Sequence, residues 1–174
     1  MDLFMKCLQF AASKHRDQRR KDTNSTPYIN HPINVATILS AEARVEDVTV
    51  LMVALLHDTV EDTDTTFEEI ENLFGYEISS IVREVTDDKT LAKDVRKQLQ
   101  IKNAAKSSQK AKLVKLADKL DNLRDLEKTL PCGWTQERRD EYFVWAKKVV
   151  DNLRGTNAYL EEQLYNIFRS RGLL

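Results

Sequence analysis

The sequence VTVLMVALLHDTVED, residues 48–62, runs from the most apolar segment of the chain directly into a dense group of ionisable side chains. Residues 45–58 are predicted to form one central buried helix, because they carry apolar side chains at nearly every position. The longest apolar segment, Val48–Leu56, is far too short to span a bilayer. A buried helix that ends in His57 and Asp58 needs partners for both groups, because an unpaired buried charge is costly.

Helical periodicity continues on both sides of this segment. Only 4 glycines and 3 prolines leave too few turn signals for a many-stranded sandwich or barrel. Further helices are predicted over 2–16, 32–39, from Thr65 or Thr66 to about Gly75, 78–85, 91–105, 109–129, 135–153 and 156–171. We therefore expect one all-α domain over residues 1–174, a bundle of roughly eight to ten helices.

The composition argues against binding to nucleic acid or an anionic membrane and favours a reducing cellular compartment. The 27 Lys+Arg against 28 Asp+Glu give a formal net charge of −1, with no basic excess for nucleic acid or an anionic membrane. The N-terminal sequence MDLFMKCLQFAAS has no basic region before an apolar core, so no signal peptide is expected. Cys7 and Cys132 lack metal-type spacing and favour a reducing, cytoplasmic setting. The sequence indicates no particular oligomeric state.

Four ionisable groups, His57, Asp58, Glu61 and Asp62, fall within six residues. If the helix continues, Glu61 and Asp62 lie one turn beyond His57 and Asp58 on the same face. One interpretation is an acidic, solvated helix end. The other is two metal ligands followed by two carboxylates that orient or deprotonate a metal-activated water.

The other two histidines have different surroundings. His15 stands between Lys14 and Arg16 and is interpreted as a solvated surface residue with no part in turnover. His31 follows a polar loop and precedes Pro32, which is tolerated in the first turn of a helix.

The segment KLVKLADKLDNLR, residues 112–124, places Asp118 in a helix with a leucine stripe. On its own this is an ordinary amphipathic helix, and it gives no strong reason to assign Asp118 a function.

The order His31, His57-Asp58, Asp118 resembles the HD superfamily of metal-dependent phosphohydrolases, in which separate helices supply these ligands to one ion. Four segments also follow, in order, the hydrolase domain of bacterial bifunctional (p)ppGpp synthetase/hydrolases. They are RRKDTNSTPYINHPINVATIL, ALLHDTVEDT, FGYEISSIVREVTDD and KLVKLADKLDNLRDL. The chain is thus similar to the small alarmone hydrolases among the metazoan relatives of SpoT, and no synthetase domain is expected.

The resemblance implies a set of site residues. One Mn²⁺ ion would be held by His31, His57, Asp58 and Asp118, a donor set that also suits iron or zinc. Glu61 and Asp62 would be the catalytic pair that positions and activates the attacking water. The implied substrate-binding residues are Arg20, Lys21, Tyr28, Lys93, Asn122, Arg138 and Tyr142.

Other residues in these segments receive different assignments. Trp134 and Trp145 are assigned to packing. Asp121 and Asp17 stand where bacterial members commonly have His and Gly, and we expect both outside the metal shell, with a bearing on nucleobase preference.

The activity that the resemblance implies is hydrolysis of guanosine 3′,5′-bis(diphosphate), ppGpp, to GDP and pyrophosphate, as in a stringent or starvation response. The alternatives are removal of the 2′-phosphate of NADPH in the same site, or a general HD nucleotidase. A non-enzymatic alternative is a nucleotide-sensing module, against which the intact HDxxED sequence argues.

Overall fold

Ten α-helices and one short π-helical segment make up the computed structural model, which describes residues 1–174. The all-α prediction is confirmed. None of the helices combines the length and the hydropathy that a membrane crossing requires. The elements are α1 (Asp2–Lys14), α2 (Asn30–Thr37), the π segment (Ile38–Glu42), α3 (Val48–Leu56), α4 (Thr59–Asp62), α5 (Phe67–Phe74), α6 (Tyr76–Val85), α7 (Lys93–Ala104), α8 (Gln109–Lys128), α9 (Gln136–Asp151) and α10 (Ala158–Ser170).

Local side-chain chemistry sets the ends of α5 where the sequence predicts them. The Thr66 hydroxyl accepts a hydrogen bond from the backbone N–H of Glu69 at 3.1 Å, which satisfies a free donor of the first turn. Gly75 ends the helix with a φ of 94°, a conformation that costs glycine nothing and strains other residues. The predicted start and stop of this helix are confirmed.

The central helix α3 is shorter than predicted, because the chain turns at His57 and Asp58. The Nδ1 atom of His57 donates to the carbonyl of Ala54 at 2.7 Å, and the Thr59 hydroxyl donates to the carbonyl of Leu56 at 2.7 Å. These side chains occupy carbonyls that a continuing helix would use for its own backbone bonds. The turn holds both ionisable side chains at the end of a buried helix.

Helix α3 lies in the middle of the bundle and contacts α1, α2, α6 and α8. Its residues Val50 and 52–56 are buried in the same hydrophobic core as Leu116, Leu120 and Leu123 of α8. Since α2, α3 and α8 pack against one another, the first turn of α2, the end of α3 and the middle of α8 face a common space.

A second polar cluster joins the π segment to two later helices. The Arg124 guanidinium of α8 donates to both oxygens of the Glu42 carboxylate, each at 2.9 Å. The Tyr159 hydroxyl of α10 donates to the same carboxylate at 2.7 Å. This cluster connects the C-terminal helix to the rest of the bundle.

His15 is buried, so the prediction of a solvated surface residue is wrong. Helix α1 ends at Lys14, the chain turns back, and Tyr28 covers the imidazole with its ring centre 5.0 Å away. Only 1% of His15 is exposed. The basic neighbours of His15 gave a misleading signal, because the cover comes from a residue beyond the next loop.

Candidate metal centre and substrate pocket

The side chains of His31, His57, Asp58 and Asp118 meet between α2, the α3–α4 turn and α8. The Nε2 atom of His31 lies 3.1 Å from Asp118 Oδ1 and 3.6 Å from Asp58 Oδ2. The Nε2 atom of His57 lies 3.1 Å from Asp58 Oδ2 and 3.5 Å from Asp118 Oδ1. The structure thus brings together the four side chains predicted to be metal ligands.

The Nδ1 hydrogen bonds of both imidazoles direct their Nε2 atoms into this common space. His57 donates from Nδ1 to a backbone carbonyl, and His31 donates from Nδ1 to Asp121 Oδ2 at 2.6 Å. The Nε2 atom of His57 is buried and has no hydrogen-bond partner. Two nitrogen lone pairs and two carboxylates that face one another fit a divalent cation, and donors about 3 Å apart suit ligands of one ion.

Asp121 has a different place from the one that the sequence suggested. It lies outside the group of four, as expected, but it contacts His31 rather than the pocket that would receive a nucleobase. A carboxylate that accepts a hydrogen bond from a ligand histidine fixes the tautomer and orientation of the ring. Asp121 is therefore placed to support His31.

Burial and neighbouring charges act in opposite directions on the pKa values of the predicted ligands. Burial lowers the pKa of His57, but the neighbouring Asp58 and Asp118 carboxylates outweigh it and hold that pKa well above its usual value. Burial raises the pKa of Asp118, but Lys119 and the histidines outweigh it and hold that pKa well below its usual value. The site is thus built around negative charge that a cation stabilises.

Lys119 is a site residue that sequence reasoning missed. Its ammonium lies 3.0 Å from Asp118 Oδ2 and 4.9 Å from the ring centre of Trp145. It is buried although it follows Asp118 directly in α8, where helical geometry gives neighbouring residues different directions. Only the position of α9, which carries Trp145, reveals this role.

Tyr28 lies against the centre rather than only at its entrance. Its hydroxyl donates to Asp58 Oδ2 at 2.6 Å, and its ring lies 5.8 Å from that of His31. Burial and the nearby carboxylates Asp58 and Asp62 raise the pKa of the phenol, which keeps it a donor.

Glu61 and Asp62 lie beside the four ligands, on α4. The carboxylate of Glu61 accepts a hydrogen bond from the backbone N–H of Asp87 at 3.0 Å. Burial, reinforced by the Asp87 and Asp58 carboxylates, raises the pKa of Glu61 to about 7. Asp62 is held through both oxygens, by Lys89 at 3.0 Å and by Gln18 at 3.1 Å. One carboxylate is thus tuned near neutral pH and the other is fixed in place.

A cavity of about 590 Å³ opens in front of these residues. Arg20 is fixed in its wall, because its guanidinium donates to Asp125 at 2.8 Å and to Asn122 at 3.1 Å. Five of the predicted substrate-binding residues line the cavity, namely Arg20, Lys21, Tyr28, Asn122 and Tyr142, together with His31, Asp62 and Trp134.

The other two predicted substrate-binding residues, Lys93 and Arg138, do not line this cavity. Arg138 lies over the ring of Trp134, 4.3 Å from its centre. The nearby Arg138 charge lowers the pKa of Lys93, and Lys97 and Lys21 act in the same direction. Lys93 and Arg138 therefore lie near each other, and Arg138 reaches the cavity only through its contact with Trp134.

The packing assignment holds for Trp145 but is incomplete for Trp134. Trp134 lines the cavity and contacts Tyr142, with ring centres 5.8 Å apart. Its indole N–H is buried without a hydrogen-bond partner. At the same rim, the backbone N–H of Cys132 donates to the carbonyl of Lys21 at 2.7 Å, which joins two loops.

Comparison with known proteins gives this site a family. The model of the HD-domain family matches residues 7–147. The Drosophila melanogaster protein named guanosine-3′,5′-bis(diphosphate) 3′-pyrophosphohydrolase MESH1 is 71% identical over 171 residues, which cover 98% of this chain and 96% of that protein. The chain belongs to the MESH1 group of the HD-domain family.

Other members of the MESH1 group agree in length and structure. The Homo sapiens MESH1 protein is 59% identical over 169 residues, which cover 97% of this chain and 94% of that one. A solved structure is described as a metazoan ortholog of SpoT that hydrolyzes ppGpp and plays a role in starvation responses. It is 70% identical, covers 100% of this chain and 98% of its own, and superposes with a TM-score of 0.99. The resemblance seen in the sequence is confirmed.

Proposed function

We propose that this chain is a metal-dependent hydrolase that converts ppGpp to GDP and pyrophosphate. The observation that carries the proposal is the convergence of two imidazoles and two carboxylates beside Glu61 and Asp62. MESH1 relatives that match nearly the whole chain bear the name of this activity. A solved relative is described as hydrolysing the same nucleotide.

In this proposal His31, His57, Asp58 and Asp118 hold one divalent ion. Two carboxylates and two imidazoles, with space for water and substrate, favour Mn²⁺ over softer ions. When bound, such an ion supplies a Lewis acid that acidifies water and stabilises negative charge on phosphoryl oxygens. The hydrogen bonds of both histidines support the neutral Nδ1–H tautomers that they need as ligands.

Glu61 and Asp62 have different roles toward the attacking water: Glu61 is the general base and Asp62 orients the water. Glu61 has a pKa of about 7, which suits a general base at neutral pH, since it is ionised in a large fraction of molecules and still basic. Asp62 is held from two sides and orients the water toward the 3′-phosphoryl group. Glu61 takes the proton from the water as the water oxygen bonds to phosphorus. The bond from that phosphorus to the ribose 3′-oxygen breaks, and Glu61 passes the proton to this oxygen, which leaves as the 3′-hydroxyl of GDP.

The remaining groups bind the nucleotide. Lys21, Lys93 and Arg138 supply cations at one rim for the 5′-diphosphate, and the faces of Tyr142 and Trp134 offer stacking surfaces. Arg20 and Asn122 shape the wall nearest the ligands. We further propose a cytoplasmic location, which the two free cysteines support.

The experiment that tests the proposal is a substrate panel. The protein is freed of metal by chelation and dialysis, and then assayed with ppGpp, NADPH and nucleoside 5′-monophosphates, each with and without Mn²⁺. We expect Mn²⁺-dependent release of pyrophosphate from ppGpp. Binding of ppGpp without turnover would instead indicate a sensing module, and preference for monophosphates a general nucleotidase.

NADPH is the second candidate substrate. Its 2′-phosphate is a ribose phosphate ester, chemically similar to the 3′ ester of ppGpp, and the cations that line the cavity, such as Arg20 and Lys21, suit its other phosphates. Release of phosphate from NADPH at a kcat/KM that equals or exceeds that of ppGpp would make it the preferred substrate. The same residues would carry both reactions.

A further inference from the structure

A chain of hydrogen bonds leads from the buried end of α1 to Asp62. The Nδ1 atom of His15 lies 2.7 Å from Oε1 of Gln18, and Nε2 of Gln18 donates to Asp62 Oδ2 at 3.1 Å. Lys89 holds the other oxygen of the same carboxylate. Gln18 is one of the two side chains that hold Asp62, whereas His15 has no part in the mechanism proposed for the site.

The direction of this chain follows from the chemistry of its members. A carboxylate only accepts hydrogen bonds, so Gln18 must turn its NH₂ group toward Asp62 and its carbonyl oxygen toward His15. The carbonyl oxygen also only accepts, so His15 must carry its proton on Nδ1. Burial lowers the pKa of His15, which favours this neutral form.

The same imidazole supports a second carboxylate of the site. Its ring packs against Tyr28, whose hydroxyl donates to Asp58. The other nitrogen of His15, Nε2, is buried without a hydrogen-bond partner. A leucine or phenylalanine would fill this space without that cost, so stability alone does not account for a histidine here.

We propose that His15 is a positioning residue, which fixes the orientation of Asp62 through Gln18 and supports the Tyr28–Asp58 contact through its ring. This inference rests on the proposed function, in which Asp62 orients the attacking water. It replaces the expectation that a change of His15 leaves turnover near wild type. A lost hydrogen bond lets the carboxylate rotate, and a misplaced orienting group costs turnover more than binding.

Two substitutions at one position separate the hydrogen bond from simple packing. His15→Asn keeps an N–H close to the place of Nδ1, whereas His15→Leu keeps the volume and removes the donor. For His15→Leu we expect kcat on ppGpp to fall at least about 10-fold with KM nearly unchanged, the lower range for loss of a group that holds a metal-site side chain in place. Both variants lose the ring contact with Tyr28, so we expect His15→Asn to lose clearly less kcat than His15→Leu, the difference being the part that the hydrogen bond to Gln18 contributes. Equal losses in both variants would mean that the ring only packs, and an unchanged kcat in His15→Leu would likewise overturn the proposal.

Substitution of Gln18 is an independent test, because it leaves the His15 imidazole unchanged. Gln18→Leu is expected to lower kcat as much as His15→Leu does, and the double variant is expected to lose no more than either single one. Additive losses would show that the two residues act separately and would contradict the chain.

A measurement without turnover tests the geometry directly. In metal-free protein, long-range ¹H–¹⁵N spectra of the histidine rings report which nitrogen carries the proton. We expect His15 to be neutral with its proton on Nδ1, and a proton on Nε2 would overturn the proposed direction. This result stands even if wild-type protein does not hydrolyse ppGpp, an outcome that would reject the proposed function instead.

Discussion

At the scale of single residues, three groups of the site are held in place by hydrogen bonds or ion pairs with neighbouring side chains. Asp121 orients His31, Tyr28 orients Asp58, and Lys119 engages the second oxygen of Asp118. Such contacts fix ligand atoms before a metal or substrate arrives, which reduces the cost of ordering them.

The roles proposed for Glu61 and Asp62 can be separated by substitution from those proposed for the four metal ligands. Glu61→Gln combined with Asp62→Asn keeps size and shape while it removes both bases. We expect metal content to stay at the wild-type level and kcat to fall at least about 10²-fold, the lower range for loss of a general base. Metal analysis beside single-turnover assays checks this. Loss of Mn²⁺ would make these carboxylates ligands, and unchanged turnover would make the HDxxED sequence a structural helix end.

The contact of Asp121 with His31 predicts an effect on metal affinity. Asp121→Leu removes the acceptor and is expected to weaken Mn²⁺ binding by about 10- to 100-fold, the range for groups behind a ligand histidine. Asp121→Asn keeps an acceptor and should lose less. Calorimetric titration of metal-free protein measures both, and His57→Ala serves as the control that should abolish binding and hydrolysis. If Asp121→Leu bound Mn²⁺ as tightly as wild type, the hydrogen bond between Asp121 and His31 would not contribute to the free energy of metal binding.

The convergence of His31, His57, Asp58 and Asp118 could be predicted because their order along the chain resembles a known arrangement of metal ligands. Lys119 and His15 could not, since their burial depends on Trp145 and Tyr28, which lie in other elements. Charged neighbours in the sequence indicate exposure only where no other element covers them.

At the scale of elements, the helix count and most helix positions follow from periodicity and capping residues. The predicted central helix ends early, at 57–58, because the side chains of His57 and Thr59 donate hydrogen bonds to backbone carbonyls of its last turn. The pattern of apolar residues gives no sign of such side-chain hydrogen bonds. Helix α3 lies within the predicted range, whereas the short helix α4 was not predicted as a separate element.

The cap of α5 gives a stability prediction that is independent of the site. Thr66→Ala removes the acceptor for the Glu69 N–H and should lower the free energy of unfolding by about 1 kcal/mol. Thr66→Ser keeps the hydroxyl and should restore most of it. Urea denaturation measures the change, while kcat should stay the same. A large loss of kcat in Thr66→Ala would mean that α5 affects the site after all.

At the scale of the whole molecule, the site and the Glu42 cluster lie at different places on α8. Asp118 and Asn122 face the ligands and the pocket, whereas Arg124 reaches toward the π segment and α10. One long helix thus carries both the candidate chemistry and the attachment of the C-terminal helix.

The Glu42 cluster predicts a pH-dependent part of stability. The Arg124 guanidinium lowers the pKa of Glu42 from its ordinary value of 4.5, and the Tyr159 hydroxyl acts in the same direction. The contribution is therefore complete above the unfolded-state pKa and is lost as pH falls through the lower folded-state pKa. Glu42→Gln should lower the free energy of unfolding by roughly 1 kcal/mol at pH 7 and by less at acidic pH.

The control for this prediction is Glu71→Gln, at an exposed position of α5. Chemical denaturation of both variants at several pH values compares them with wild type. A Glu42→Gln effect that grows as pH falls would contradict a lowered Glu42 pKa in the folded protein.

Cys132 is a site at which a fluorescent dye can be attached selectively. Its thiol is exposed, while burial raises the pKa of the Cys7 thiol to about 12 and leaves it protonated and unreactive at neutral pH. A maleimide dye therefore attaches at one sulfur, on the loop whose backbone is bonded to that of Lys21 at the pocket rim. A nucleotide that enters the pocket changes the surroundings of the dye. The fluorescence of the dye then reports nucleotide binding in real time and does not require that the nucleotide be hydrolysed.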